Sequence, residues 1–277
     1  MKILIAVDME GITGVTSWNH VDSTPHPEYQ RFRRIMTQDV NAAIAGAAEG
    51  GADEILVADG HGYGRNILIE ELDLRARIHQ GTPSPFSMVQ GIDSGVQAAM
   101  FIGYHAHMST ENAVLAHTWS CEHVSNVWLN DRIVGEIGLN GSVCGDFGVP
   151  VLMISGDQAA CEEARQWITG IATVPVKKAS SRFAAECLPP GVSQPLIRQT
   201  AKQAVAAFLA GQSPAPLTVA LPVRITIEFL NTVMADTVAL LPIIRRLDGR
   251  RVEFEAGSMR EAYRLFRAAV SLAPGGL

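Results

Sequence analysis

Cysteine is scarce in this chain of 277 residues: Cys121, Cys144, Cys161 and Cys187 are scattered, and no CxxC pair occurs. That excludes a cysteine-held zinc site and predicts buried free thiols in a reducing compartment. Long apolar runs are missing too. No uninterrupted stretch reaches the roughly 18 residues that a membrane span needs. The run Ile3-Leu4-Ile5-Ala6-Val7 is too short for the core of a signal peptide and meets Asp8 at once, so a cytoplasmic location is expected. Basic charge is in deficit: 22 Lys and Arg stand against 28 Asp and Glu, a net charge of −6. This argues against nucleic acid as a partner, which would want a basic face. No Lys/Arg-rich run is present to grip anionic lipid, so no membrane partner is expected either. Internal repeats and low-complexity segments are also lacking.

What is present is an alternation of apolar runs and helical patterns. Hydrophobic residues make up 47% of the chain, ample for a large core. Strands are expected at Lys2–Val7, 54–58, 98–103, 127–129, 151–155, 223–227 and 252–255. The early runs are continuous rather than alternating, as in strands covered on both faces. A helix is predicted over 29–49, with Phe32, Ile35, Met36, Val40, Ala43, Ile44 and Ala47 on one stripe and Gly50-Gly51 as its stop. Further helices are expected at Gln158–Trp167, capped by Asp157, and at 196–209 and 258–273. Pro/Gly-rich stretches at 187–195 and 211–222 read as surface connections or subdomain joints. The fold class expected is α/β: a three-layer α/β/α unit with a mostly parallel or mixed sheet, plus a smaller subdomain. One unit is expected over 1–277. Its chemical core lies within about 1–157, and the rest reads as scaffold, partner surface and substrate wall.

In open α/β sheets, sites gather at the carboxyl ends of strands. Those ends read Asp8-Met9-Glu10-Gly11, Asp59-Gly60-His61-Gly62 and Tyr104-His105-Ala106-His107, and the apolar pair Ile133-Val134 runs into Gly135-Glu136. Four segments would thus deliver Asp, Glu or His at one edge of the sheet. Carboxylate and neutral imidazole are good zinc ligands, and a carboxylate can bridge paired ions. Asp8 and Glu10, two apart, would point the same way in an extended segment. Taken singly, each piece has a bland reading as a loop pair, a turn residue or a solvated acid. Together they favour a metal site. His20, His26 and His79 are expected at the surface. His107 and His123 have no assigned role, and His117 reads either as a core histidine or as a catalytic one.

Four segments resemble the DppA-like D-aminopeptidases, a family of zinc metallopeptidases. They are Val7-Asp8-Met9-Glu10-Gly11-Ile12-Thr13-Gly14, Pro85-Phe86-Ser87-Met88-Val89, Ile102-Gly103-Tyr104-His105-Ala106 and Asn130-Asp131-Arg132-Ile133-Val134-Gly135-Glu136-Ile137-Gly138-Leu139-Asn140. The likeness continues through Pro150-Val151-Leu152-Met153 and, more loosely, to Glu261-Ala262-Tyr263. It implies two zinc ions per subunit, held by Asp8, Glu10, His61, His105 and Glu136 with Asp8 bridging, and His117 as the catalytic histidine. It further implies an aminopeptidase releasing N-terminal residues, D-alanine among them, from short peptides inside a ring-shaped decamer. The chain departs from the pattern in Gly60-His61-Gly62-Tyr63-Gly64 and around His117, which bears on substrate choice rather than on the metal ligands.

On the resemblance, the metals would polarise the scissile carbonyl while His117 acts as base or nucleophile. Asp59 would either receive the substrate's amino terminus or orient His61 or His105. Two other functions stay open on residues alone. One is a metal-dependent amidohydrolase or phosphoesterase with a non-peptide substrate. The other is a peptide-binding transport component, which would need export.

Overall fold

The computed structural model describes residues 1–23 and 26–273. The apolar run at the start forms the strand β1 (Lys2–Val7), and its side chains alternate between two cores. Ile3, Ile5 and Val7 face one layer, and Leu4 and Ala6 the other. The same alternation holds in the two strands that flank it in parallel, β2 (Glu54–Asp59) and β4 (Ala98–Tyr104). A strand buried on both faces needs apolar side chains at every position, which is why these segments read as continuous runs.

The full sheet has seven strands, in the order β3 (Ala76–His79), β2, β1, β4, β7 (Val151–Asp157), β8 (Ala172–Ser181) and β9 (Ala184–Cys187). All neighbours pair in parallel except β9, which runs antiparallel to β8. One face is covered by α2 (Pro27–Gly50) and α5 (Pro190–Leu209). These two helices touch closely: a Cβ on Gly46 would stand 2.1 Å from the Arg198 carbonyl oxygen. The other face carries α3 (Glu136–Asp146) and α4 (Gln158–Trp167). The three-layer α/β/α expectation holds.

The smaller unit is a five-stranded antiparallel sheet, ordered β11 (Arg245–Arg246), β12 (Arg251–Ala256), β10 (Val223–Phe229), β5 (Val124–Leu129) and β6 (Arg132–Ile133). Val223, Ile225, Ile227 and Phe229 line its inner face with Tyr263 and Phe266 of α7 (Met259–Leu272) in one continuous core that reaches the α3 side of the main sheet. Two short helices, α1 (Trp18–Val21) and α6 (Thr232–Val238), complete the set. None of the described helices is long and apolar enough to cross a membrane.

Several expectations are corrected. The 187–195 stretch is not a joint: α5 begins at Pro190, and Pro195 lies inside it. Proline at the first helical position loses nothing, because that N–H has no intrahelical partner. Packing of Ser193, Ile197, Ala201 and Val205 holds the rest. All four cysteines are free, but only Cys144 and Cys161 are buried, their thiols pushed up to about 12 by that burial. His20 is not at the surface either. It stacks on Phe32 with ring centroids 4.0 Å apart, and its Nδ1 accepts the Thr16 N–H.

Asp39 of α2 is buried against α5, accepting the Thr13 N–H at 3.1 Å and a Gln194 Nε2–H at 3.3 Å. Burial pushes its pKa up to about 6 from 3.8. The folded state therefore holds a proton that the unfolded state has lost over that interval, and stability falls as pH rises through it. Asp39→Asn should remove this dependence. A shift of roughly two pH units at about 1.4 kcal/mol each makes the variant about 2–3 kcal/mol more stable than the parent at pH 7.5, relative to the same comparison at pH 4. Denaturant titrations at the two pH values measure it, and an equal difference at both would refute it.

Candidate metal centre

The chain turns sharply where β1 ends. Gly11 N–H donates to the Gly103 carbonyl at 2.8 Å and Ile12 N–H to that of Met9 at 3.1 Å. A Cβ at position 11 would lie 1.9 Å from the Tyr104 carbonyl oxygen, so only glycine lets the turn press against β4. Asp8 and Glu10 thus converge through a turn, not along an extended segment as expected. Lys177 of β8 ties this turn down: its buried ammonium donates to the carbonyls of Glu10 at 2.6 Å, Ile12 at 2.8 Å and Val15 at 2.8 Å. Burial lowers its pKa to about 8. Nothing in the sequence marked Lys177, since one lysine in a polar strand pattern has no motif.

Asp59, at the end of β2, shapes the next loop. Its carboxylate accepts the N–H groups of Asn66 at 2.6 Å and Ile67 at 2.8 Å, and the Asn66 side-chain amide at 2.7 Å. That amide also donates to the His61 carbonyl at 2.7 Å. Asp59 therefore supports His61 through Asn66 and does not line the cavity at the centre. His61 places Nδ1 at 3.2 Å from Asp8 Oδ1 and 3.0 Å from Glu10 Oε2, while its Nε2 faces the Val21 carbonyl at 2.8 Å. From the end of β4, His105 places Nε2 at 3.3 Å from Asp8 Oδ2 and 3.2 Å from Glu136 Oε1.

Glu136 arrives by a different route from the one expected. It is the first residue of α3, beyond the little antiparallel strand β6, and not at a carboxyl end of the parallel sheet. The Trp119 N–H holds its Oε1 at 2.7 Å. Only the first histidine of His105-Ala106-His107 joins the centre. The His107 ring turns to the Met108 carbonyl, and the His107 backbone N–H donates to the Glu163 carboxylate. His123 pairs with Ser120 at 2.7 Å, its carbonyl accepting the Leu230 N–H.

The geometry is bipartite. One oxygen of Asp8 faces His61, beside Glu10, and the other faces His105, beside Glu136. Asp8 Oδ2, Glu10 Oε2 and His105 Nε2 are buried without a hydrogen-bond partner among the described residues. Two groups of three, Asp8/Glu10/His105 and His105/His117/Glu136, each place ligand atoms within 4.8 Å of one another. Orphaned buried lone pairs on carboxylate and imidazole fit zinc well. The charges agree. Burial alone would raise the Asp8 pKa and lower those of the two histidines, but the facing groups outweigh it. Asp8 is held well below the usual range, and His61 and His105 well above theirs.

His117 sits between the two halves, Nε2 at 4.0 Å from Glu10 Oε1 and 3.8 Å from Glu136 Oε1. Its ring stacks on His105 with centroids 4.1 Å apart, and its Nδ1 meets the Leu115 carbonyl at 3.0 Å. That contact puts the proton on Nδ1 and leaves the Nε2 lone pair facing the cavity. Burial first, then the neighbouring His105, lowers its pKa. Two non-glycine residues with left-handed backbone flank it, Leu115 at φ 50° and Trp119 at φ 66°. Such strain gathers at functional sites. A cavity of about 320 Å³ opens over Asp8, Glu10, His61, His117 and Glu136.

Lys177→Met would leave three carbonyls of the Glu10 turn without a donor. We expect a loss on the order of 2 kcal/mol or more in stability, together with lower zinc content. Thermal unfolding and elemental analysis measure the pair, and a variant unchanged in both would rule out the anchoring role.

Comparison with known proteins identifies the family. Residues 1–268 match the peptidase family M55, described as D-aminopeptidase. The chain is 39% identical over 274 residues to a D-aminopeptidase of Bacillus subtilis (strain 168), covering 99% of this chain and 98% of the relative. The solved structure of the Zn-dependent D-aminopeptidase DppA from Bacillus subtilis, described as a self-compartmentalizing protease, superposes with a TM-score of 0.92 at 37% identity. That match covers 100% of this chain and 99% of the other. The chain belongs to the M55 D-aminopeptidase family, enzymes that hydrolyse peptide bonds.

Proposed function

We propose that this protein is a zinc aminopeptidase that releases N-terminal residues, D-alanine among them, from short peptides. In this reading Asp8, Glu10, His61, His105 and Glu136 would hold two zinc ions. The observation that carries it is the position of Asp8, one carboxylate oxygen toward His61 and the other toward His105. The solved relative is described as Zn-dependent, which supports the choice of metal. Zinc there supplies Lewis acidity toward a carbonyl oxygen and makes a water more acidic.

The chain's own side chains do the rest. His117, neutral with its Nε2 lone pair free, would take at Nε2 a proton from the water that adds to the scissile carbonyl carbon and pass it to the amine nitrogen as the C–N bond breaks. Its stacking on His105 and its Nδ1 contact fix the ring in that pose. Trp18, edge-on to His117 at 5.7 Å, closes one side of the cavity. Residues beyond 157 act as scaffold, substrate wall and subunit contacts. Self-association, as a ring-shaped decamer, fits the exposed Leu221, Leu240 and Ile243 and the relative's description as self-compartmentalizing. A cytoplasmic location suits the four free thiols.

His117→Ala should keep its zinc and lose roughly 10²–10⁴-fold in kcat, the usual weight of a positioned acid–base. Near-normal turnover would refute its role. Glu10→Ala or His105→Ala should lower zinc content by elemental analysis, and unchanged stoichiometry would refute the ligand set. The zinc-loaded enzyme should cleave D-aminoacyl dipeptides faster than their L-counterparts. Activity confined to a cyclic amide or a phosphate ester would overturn the aminopeptidase reading.

A further inference from the structure

Histidines aside, the charged side chains that line the cavity over the candidate metal centre are acids, with one exception. Asp8, Glu10 and Glu136 lie at its base and Glu122 on its wall, and Arg267 of α7 is the one arginine or lysine that lines it. Arg267 is held from behind: its Nη1 donates to the carbonyls of Ser84 at 2.5 Å and Pro85 at 3.0 Å, and the guanidinium lies 5.9 Å from the Tyr263 ring centroid. Its Nε is buried with no hydrogen-bond partner, and no carboxylate pairs with Arg267 among the described residues. A guanidinium anchored by neutral carbonyls keeps its full charge for a ligand. With Nη1 engaged and Nε buried, Nη2 is the nitrogen left to donate a charge-assisted hydrogen bond to a carboxylate.

The cavity has therefore two electrical poles, an acid–histidine cluster and a lone cation. At about 320 Å³ it lies at the small end of ligand cavities. A short zwitterionic peptide matches that pattern. We propose that Arg267 binds the C-terminal carboxylate of the substrate. This rests on the aminopeptidase reading above and adds a second criterion to it, a free carboxylate one or two residues from the bond cleaved. The enzyme would then select substrates by length from both ends, and peptides too long to bring their C-terminus to Arg267 would gain nothing from it.

The test uses zinc-loaded enzyme and one dipeptide in two forms, the free acid and its C-terminal amide. The parent enzyme should prefer the acid by roughly ten- to a hundredfold in kcat/KM, as expected for a charge-assisted hydrogen-bonded pair, with the difference mainly in KM. In Arg267→Met that ratio should fall to near one, and in Arg267→Lys, which keeps the charge but not the fork, to an intermediate value. Calorimetric binding of both forms to the His117→Ala variant should show the same preference without turnover. Equal kcat/KM for acid and amide in the parent overturns the proposal. So does a loss in Arg267→Met that leaves the ratio intact, which would make Arg267 only a prop for the Ser84–Pro85 segment. If no peptide is cleaved by the zinc-loaded parent, the aminopeptidase reading falls, and the proposal with it.

Discussion

Three carboxylates, those of Asp8, Glu10 and Glu136, are held side by side out of water. Like charges so placed repel, and burial removes the solvent that would screen them. Only positive charge between them makes the arrangement stable, and the rest of the centre follows from that. His61 and His105 face the acids from two different strand ends. The supports are correspondingly stiff: Lys177 under the Glu10 turn, Asp59 and Asn66 under the His61 loop, the Trp119 N–H on Glu136. Each of these partners is itself buried or backbone, so the acids cannot relax apart.

Much of the fold was legible because burial on both faces leaves a plain mark. β1 is recovered to its ends, and β2, β4 and β7 to within two residues, since strands covered above and below must be apolar throughout. The edges of the sheet were not. The edge strands β3 and β9, and β8 next to β9, mix charged or polar residues with small ones because one side meets solvent, and their sequences look like loop. The helix α3 was missed for another reason. Its residues Gly138, Gly141 and Gly145 are poor helix formers, and what holds it is contact with α4 and α7 and not propensity.

At the centre, residue types were legible and geometry was not. The acids and histidines stood out because of where they fall relative to apolar runs. The resemblance then separated His117 from the other histidines. Which histidine of His105-Ala106-His107 turns inward depends on the backbone after β4, and the turn that joins Asp8 to Glu10 depends on its contact with Tyr104. Lys177 was invisible because its partners are carbonyl oxygens, which no sequence pattern records.

The six residues of the centre lie early in the chain, whereas α7, which carries Arg267, is the last described helix. A ribosome delivers them in that order. The acids and histidines are all outside before the wall that faces them has been made. The lower part of the cavity is thereby made before the wall above it, and a chain still being synthesised has an open trough where the finished one has a walled cavity.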